Sequence, residues 1–460
     1  MDEITTKRRL KKDTLLNVYK VLYLALIAAC FAVAWYACYK NSISYPFFRK
    51  GNIYVVIIYA LVSLGIVRVY GGFMISLSTP SELVFSQFFA LLLTNVLAYM
   101  ATCFLSRKVV DILPLIAAFI VQMVLSSIWS KLAVPLYYRL TPVKKTLVVY
   151  GDKSALNTVC GVYKLEKKFK VIDTISVEMG LDEVLKRLKG VDAVFICGVE
   201  SSFRNDIVKQ CIYKNIQAYV RPRIGDLLIS NSRKIHMFNV PVLLCTRAHP
   251  KQFYLIVKRI IDVVASLVAI VILSPLMLIT AIIIKCYDKG PVLYKQCRLT
   301  KDGEKFNVLK FRSMRIDAEK DGVARLSTGD KDDRITPVGK IIRAIRFDEL
   351  PQLFNILGGS MTIVGPRPER PEIAAQYEQT MPEFAMRLQV KAGLTGYAQI
   401  YGKYNTTPYD KLEMDLIYIA SQSIVEDLKI MLMTVKILFM PESTEGISEG
   451  QTTAMSGENH

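Results

Sequence analysis

Four apolar runs, at 18–38, 53–69, 83–105 and 109–134, crowd the first 145 residues. Each is close to the roughly 20 residues that cross a bilayer as a helix. Lipid offers no partner for a bare backbone amide, so a helix is what such a run can form there. The polar residues within the runs, Gln87, Asn95 and Gln122, are uncharged and can bond between helices. Asp111 lies at an end, within reach of water. The first run is too long for a signal-peptide core, and no small-residue cleavage site follows it. Lys7, Arg8, Arg9, Lys11 and Lys12 precede it, which places the N-terminus in the cytoplasm. Four crossings then return the chain there near Arg139, Lys144 and Lys145. Lys40, Arg49, Lys50, Arg107 and Lys108 would face outside and blunt that signal. Residues 1–145 read as an anchor or dimerisation device; no residue supports a transport or lipid-handling role.

A fifth run, 260–284, is apolar apart from Asp262. Ser274-Pro275 sits in its middle, where proline removes a helix hydrogen bond. Basic residues flank both ends: Arg247, Lys251, Lys258 and Arg259 before, Lys285, Lys289, Lys295 and Arg298 after. The pattern alone fits a kinked spanning helix or a bent, re-entrant pair with both ends cytoplasmic.

Charged residues still make up 22% of the chain beside 52% hydrophobic ones, so membrane segments alternate with water-facing domains. The net charge of +19 calls for anionic partners, and the membrane segments favour lipid heads and phosphorylated substrates over nucleic acid. The nine cysteines form no C-x-x-C pair, which points away from a zinc site and a disulfide frame. The three histidines, His236, His249 and His460, lie far from the acidic pair discussed below.

Residues 146–250 alternate short apolar strands (146–150, 193–197, 217–220) with a helical pattern near 207–213, as in a Rossmann-like sheet. The dinucleotide fingerprint is missing: G-D-K-S-A follows the first strand, with Asp152 and Lys153 where backbone should meet pyrophosphate. A regulatory or assembly role fits better than nucleotide binding.

The chemistry concentrates in 251–440. Lys310, Arg312 and Arg315 share a short segment, either an anion site or a solvated basic face. The acidic stretch Asp330-Lys-Asp-Asp-Arg334 reads as a metal loop or as ordinary surface. At 346–368 the chain runs RFDELPQLFNILGGSMTIVGPRP. Pro351 can open a helix that Gly358-Gly359 stops, leaving Asp348 and Glu349 just before its N-terminus. Such a pair caps a helix, or it works. In the second reading a magnesium ion bridges Glu349 and a diphosphate, and Asp348 is free to attack phosphorus. Helices at 409–439 can lie in the membrane interface or pack on the core, and the polar tail 441–460 has the composition of disorder.

Seven ordered motifs then give a resemblance. They are K-R-x-x-D at 258–262, Ser274-Pro275, G-P-V-L-Y-K-Q at 290–296, K-F-R-S-M at 310–314, R-x-D-E-L-P-Q at 346–352, V-G-P-R-P at 364–368 and G-L-T-G at 393–396. The segment from Lys258 to about Met440 resembles the bacterial sugar transferase domain of monotopic phosphoglycosyl transferases. With four membrane helices and an α/β domain ahead of it, the chain resembles the large members of that family. The resemblance implies transfer of a hexose-1-phosphate from a UDP-sugar to polyprenyl (undecaprenyl) phosphate, the first membrane step of exopolysaccharide or capsule assembly. It implies Asp348 as nucleophile, Glu349 as the Mg²⁺-binding partner, and Lys310 and Arg367 as basic active-site residues; Arg312 and Arg346 are expected beside them on the substrate. Ser274-Pro275 corresponds to the break that makes the membrane helix re-entrant. Ser360 stands where the family carries an acidic residue, and Lys391-Ala-Gly393 replaces the usual K-P-G turn.

The expected architecture is a mixed membrane protein of the bacterial inner membrane. A four-helix transmembrane bundle (1–145) and a Rossmann-like domain (146–250) precede a re-entrant helix with a mostly α-helical, cytoplasmic catalytic domain (251–440). The expected assembly is a homodimer. A glycosyltransferase releasing UDP, or a silent membrane scaffold, are the competing classes.

Overall fold

The computed structural model describes residues 3–47, 50–76, 78–151, 165–230, 232–237, 240–248, 250–315, 334–402 and 406–438. Asp152, Lys153, the acidic stretch 330–333 and the tail 441–460 lie outside them. The chain divides into two compact units, Met1–Arg221 and Pro222–His460.

In the first unit the four apolar runs are helices α1 (Glu3–Ala34), α2 (Gly51–Val69), α3 (Pro80–Ser106) and α4 (Leu113–Leu140). All four are long and apolar enough to cross a membrane. Helix α3 opens on a capping box: Thr79 Oγ1 accepts from the Glu82 amide at 3.3 Å, and Glu82 Oε2 accepts from the Thr79 amide at 3.0 Å. Gln122 of α4 ties the helices together. Its Nε2 donates to Ile27 O of α1 at 3.1 Å and to Tyr59 Oη of α2 at 2.9 Å, and its Oε1 accepts from Asn95 Nδ2 of α3 at 2.8 Å. Gln122, Asn95 and Tyr59 thus find partners inside the protein, as a water-free medium favours.

Strands β1 (Lys144–Tyr150), β2 (Phe169–Ser176), β3 (Ala193–Cys197) and β4 (Gln217–Val220) form a parallel sheet in the order β2-β1-β3-β4. Helices α5 (Leu181–Arg187) and α6 (Ser201–Tyr213) connect them, and Val184 and Ile207 join the core formed by Leu147, Val149, Val194 and Ile196. Strand β2 is absent from the sequence reading. It lies at the edge of the sheet, and Lys170, Asp173 and Thr174 interrupt its apolar pattern.

The second unit opens with α7 (Ile224–Ser230) and a hairpin of β5 (Arg233–Met237) and β6 (Val240–Leu244). Ile224 and Leu227 pack in one core with Leu353, Ile356, Phe384 and Leu412, so this unit begins at Pro222, ahead of the division drawn after residue 250. Helix α8 (Gln252–Asp288) leads to a second hairpin, β7 (Leu293–Leu299) and β8 (Lys305–Phe311). Then come α9 (Pro337–Ala344), α10 (Gln352–Gly358), β9 (Thr362–Val364), α11 (Pro371–Thr380), β10 (Gly393–Thr395), α12 (Tyr397–Tyr401), α13 (Pro408–Ala420) and α14 (Ile424–Leu438).

Helix α8 has 37 residues, about 55 Å at ~1.5 Å per residue. Two helices meeting at Ser274-Pro275 are the sequence expectation; instead Pro275 lies inside one continuous helix. Proline deletes a single backbone donor, and packing holds the turns on both sides of it. Tyr254, Asp262, Ser266, Met277, Thr280 and Ile284 are buried along one face. Ala265, Ala269 and Ile270 join the large core, while Leu273, Met277, Ala281 and Ile284 pack with Phe311, Ile342 and Phe347. The opposite face exposes Ile256, Ile260, Val264, Leu267, Val271, Ile279 and Ile283.

Candidate active site

The carboxylate pair stands on a tight turn between α9 and α10. Thr336 caps α9, its Oγ1 accepting from the Gly339 amide at 2.9 Å. Arg346 then adopts a left-handed conformation at φ 55°, unusual for a side chain with a Cβ, and reverses the chain. A single 3₁₀ turn, Phe347–Glu349, carries the pair, and α10 starts at once. Strand β8 supplies the facing cation. Phe311 points into the core with Met277 and Ile284, and Lys310, one residue earlier, reaches Glu349. Asn355 fixes α10 to this strand, accepting from the Leu309 amide at 2.9 Å and donating to Asn307 O at 2.8 Å.

Glu349 Oε1 accepts from Lys310 Nζ at 3.1 Å and from Arg367 Nη2 at 2.7 Å. Burial alone would push the Glu349 carboxyl up, but Arg367, Lys310 and Arg346 outweigh it and hold the group well below the usual carboxylate range. Asp348 moves the other way. Burial and the neighbouring Glu349 raise it, against Lys310, Arg343 and Arg367. Among the described residues its carboxylate takes part in no hydrogen bond or ion pair. The Arg367 guanidinium is held charged by Glu349. Burial lowers Lys310, with Glu349 opposing, and burial likewise lowers Arg346.

Arg367 rides on a strap, 364–369, whose carbonyls are nearly all held. Lys258 Nζ donates to Val364 O at 3.0 Å, the Gly393 amide to Pro366 O at 2.8 Å, and Arg387 Nη2 to Arg367 O at 2.8 Å. Arg298 Nη1 donates to Pro368 O at 3.0 Å and the Leu299 amide to Glu369 O at 3.0 Å. The glycines of V-G-P-R-P and G-L-T-G meet backbone to backbone: a Cβ on Gly393 would overlap the Gly365 main chain. That contact lets β9 and β10 pair in parallel.

The charges of K-R-x-x-D dock α8 onto this same segment. Arg259 donates to Ile356 O at 2.6 Å and Leu357 O at 2.7 Å, completing the C-terminus of α10. Asp262 accepts from Thr362 Oγ1 at 2.6 Å and the Ile363 amide at 3.0 Å. Lys258 also pairs with buried Asp427 at 2.7 Å, and Tyr254 and Tyr418 bond to the same carboxylate.

The sequence-predicted set is thus partly brought together. Asp348, Glu349, Lys310, Arg346 and Arg367 share one electrostatic cluster. Arg312 is placed elsewhere, buried with its guanidinium against Gly290. It follows the last residue of β8, so the alternation that would put it beside Lys310 has ended. Ser274 and Pro275 are exposed on α8. Ser360 closes the turn after α10, its hydroxyl donating to Asn355 O at 3.2 Å. As for a metal, no cluster of three or more His, Cys, Asp or Glu occurs among the described residues. Among the described residues, Glu349 Oε2 and both Asp348 oxygens are nonetheless hard oxygen donors without a hydrogen-bond partner, which suits Mg²⁺ taking one or two carboxylates together with a phosphate ligand.

Comparison with known proteins matches this unit. The profile of the bacterial sugar transferase family aligns with residues 253–441. A UDP-glucose:undecaprenyl-phosphate glucose-1-phosphate transferase of Caulobacter vibrioides is 40% identical over 191 residues, which cover 40% of this chain and 71% of that protein. The exopolysaccharide production protein PSS of Rhizobium leguminosarum is 40% identical over 190 residues, 39% of this chain and 94% of that protein. The chain belongs to the bacterial sugar transferase family. A UDP-N-acetylgalactosamine-undecaprenyl-phosphate N-acetylgalactosaminephosphotransferase of Aeromonas hydrophila is 39% identical over 192 residues, covering 41% of this chain and 45% of that protein. The chain thus spans about half the length of such longer relatives. In this family member, Arg387, Asp415 and Asp427 support the site without having stood out in the sequence, because buried ion pairs leave no local pattern.

Proposed function

We propose that the protein transfers a hexose-1-phosphate from a UDP-sugar to undecaprenyl phosphate through a covalent intermediate on Asp348. The observation that carries this reading is the unequal environment of two adjacent carboxylates. Glu349 is clamped by Lys310 and Arg367, whereas Asp348 beside it has no partner among the described residues. A carboxylate that was merely structural would be expected to take one of those cations.

In the first step an Asp348 oxygen forms a bond to the sugar-bearing phosphorus, and the bond from that phosphorus to the bridging oxygen breaks. UMP leaves with the bridging oxygen and its electron pair. In the second step an oxygen of undecaprenyl phosphate attacks the same phosphorus, and the bond to Asp348 breaks. One diphosphate is exchanged for another and no proton is consumed. Lys310, Arg346 and Arg367 are placed to meet the charge on the transferring group. Mg²⁺, held by Glu349, would neutralise diphosphate charge.

The lipid substrate needs the site at headgroup height. The packing of α8 supports this: one face contacts the catalytic unit near both ends of the helix, and the other offers apolar side chains to lipid. That arrangement favours a continuous helix held within one leaflet with both ends at its cytoplasmic surface, the catalytic unit cytoplasmic and α1–α4 a membrane-spanning four-helix bundle. The parallel sheet of the first unit, whose order β2-β1-β3-β4 is that of flavodoxin-like doubly wound sheets rather than of the Rossmann order, then serves regulation or assembly.

The deciding experiment identifies the nucleotide product. Membranes carrying the protein are incubated with undecaprenyl phosphate, Mg²⁺ and either UDP-glucose or UDP-N-acetylgalactosamine, the sugars named in the relatives. UMP is expected with one of them; UDP as the product would overturn the proposal.

A further inference from the structure

Arg387 never touches the carboxylate pair, yet it is among the most buried charges in the second unit. Its side chain is 4% exposed, and that of its partner Asp415 on α13 is 1% exposed. Taking a guanidinium out of water is costly unless its donors are met. Here Nη2 lies 2.7 Å from Asp415 Oδ2 and 2.8 Å from Arg367 O, while Nη1 lies 3.6 Å from Glu369 Oε1. The guanidinium also covers the Phe384 ring at 4.9 Å. The guanidinium therefore donates one hydrogen bond, to the Arg367 carbonyl, and lies in ion-pair range of two carboxylates, with Nη1 left without a hydrogen-bond partner among the described residues; the side chain of that same Arg367 clamps Glu349.

We infer that Arg387 is a positioning residue: through the carbonyl of Arg367 it sets where the Arg367 guanidinium meets Glu349, and Asp415 keeps Arg387 in place. The inference rests on the proposed function. Its physical basis is leverage, since Arg367 projects from the strap on a long side chain. A small shift at its backbone moves the guanidinium away from the reacting phosphate, and such misplacements are costly to rate. Lysine cannot reproduce the arrangement, because a single ammonium has no fork to span both carboxylates and the carbonyl. Arg298 holds the next carbonyl, Pro368 O, but spends its other donors on Gln296.

The test uses the full-length protein in lipid nanodiscs with UDP-glucose, UDP-N-acetylgalactosamine and undecaprenyl phosphate. Arg387→Lys should lower kcat for UMP release by about 10- to 100-fold, with KM for the UDP-sugar changed by less than about 3-fold. In an Arg367→Ala background the same substitution should have no further effect, within about twofold. Losses that multiply in the double variant, or a wild-type kcat in Arg387→Lys, would overturn the inference. Asp415→Asn should show the same non-additivity and replaces Arg387→Lys if that variant fails to fold. Hydrogen–deuterium exchange of the 364–369 peptide reads the strap without turnover. Faster exchange in either variant supports the inference, and unchanged exchange sinks it. A wild-type protein that releases no UMP would instead refute the proposed function, and the exchange measurement would still decide whether Arg387 holds the strap.

Discussion

Arg367 closes on Glu349 at 2.7 Å through the carboxylate oxygen that Lys310 also takes, at 3.1 Å. Both cations come from outside the turn that carries the acidic pair, one from the strap and one from β8. Their convergence on one oxygen leaves Asp348 exposed to whatever enters the site.

Asp348→Asn is therefore expected to remove the covalent hexose-phosphate adduct and to slow UMP release by at least about 10³-fold, with the fold intact. Intact-protein mass spectrometry after mixing with UDP-sugar reads the adduct, and product analysis reads the rate. Near-normal turnover in this variant would dismiss Asp348 as nucleophile.

The pH profile should carry the signature of the same residue. Attack needs ionised Asp348, and burial together with Glu349 raises its pKa from the ordinary aspartate value. The acid limb of UMP release should accordingly lie higher than that of an ordinary aspartate. Lys310 opposes the rise, so Lys310→Met should move the limb to still higher pH. A limb that stays put or moves down counts against the assignment.

Docking of α8 can be weighed through Asp262. Asp262→Ala deprives the Thr362 hydroxyl and the Ile363 amide of their buried acceptor. The expected loss is about 2–4 kcal/mol, read as a lowered unfolding temperature in detergent. A change below about 0.5 kcal/mol would mean that these bonds do not hold the helix.

Topology is testable with native cysteines. Cys245 and Cys297 flank α8 and are both exposed. Variants retaining only one of them should react with an impermeant maleimide in inverted vesicles and not in spheroplasts. Labelling of Cys297 from the periplasmic side would rule out a helix with both ends at the cytoplasmic leaflet.

What could be read from sequence was what is local. The run 53–69 became α2 almost residue for residue, and β3 and β4 appear with the ends expected. Apolar clusters bounded by glycine and charge carry their own limits. Asp348 and Glu349 were legible as a pair poised before a helix. The expected split, Asp348 for attack and Glu349 for metal, was also drawn from the sequence; the clamp on Glu349 was not, because it depends on Lys310 and Arg367 arriving from distant parts of the chain. Arg387 and Asp415 were invisible for the same reason: a buried ion pair has no local pattern. The motif K-R-x-x-D was recognisable, but the bonds of Arg259 and Asp262 to the 356–363 backbone needed the fold. Arg312 shares a short basic segment with Lys310 in the sequence, but it lies just past the end of β8, with its guanidinium against Gly290.

The inner face of α8 sets a limit on protein engineering. Deleting the helix to obtain a soluble fragment would strip Asp427 of Lys258 and Tyr254, leave the carbonyls of Ile356 and Leu357 without Arg259, and open a long dry seam beneath the strap. The outer face carries no such obligations. Rewriting Ile256, Ile260, Val264, Leu267, Val271, Ile279 and Ile283 as polar residues would leave every one of those bonds in place. A water-soluble version of this domain is therefore a matter of resurfacing the helix, not of truncating it.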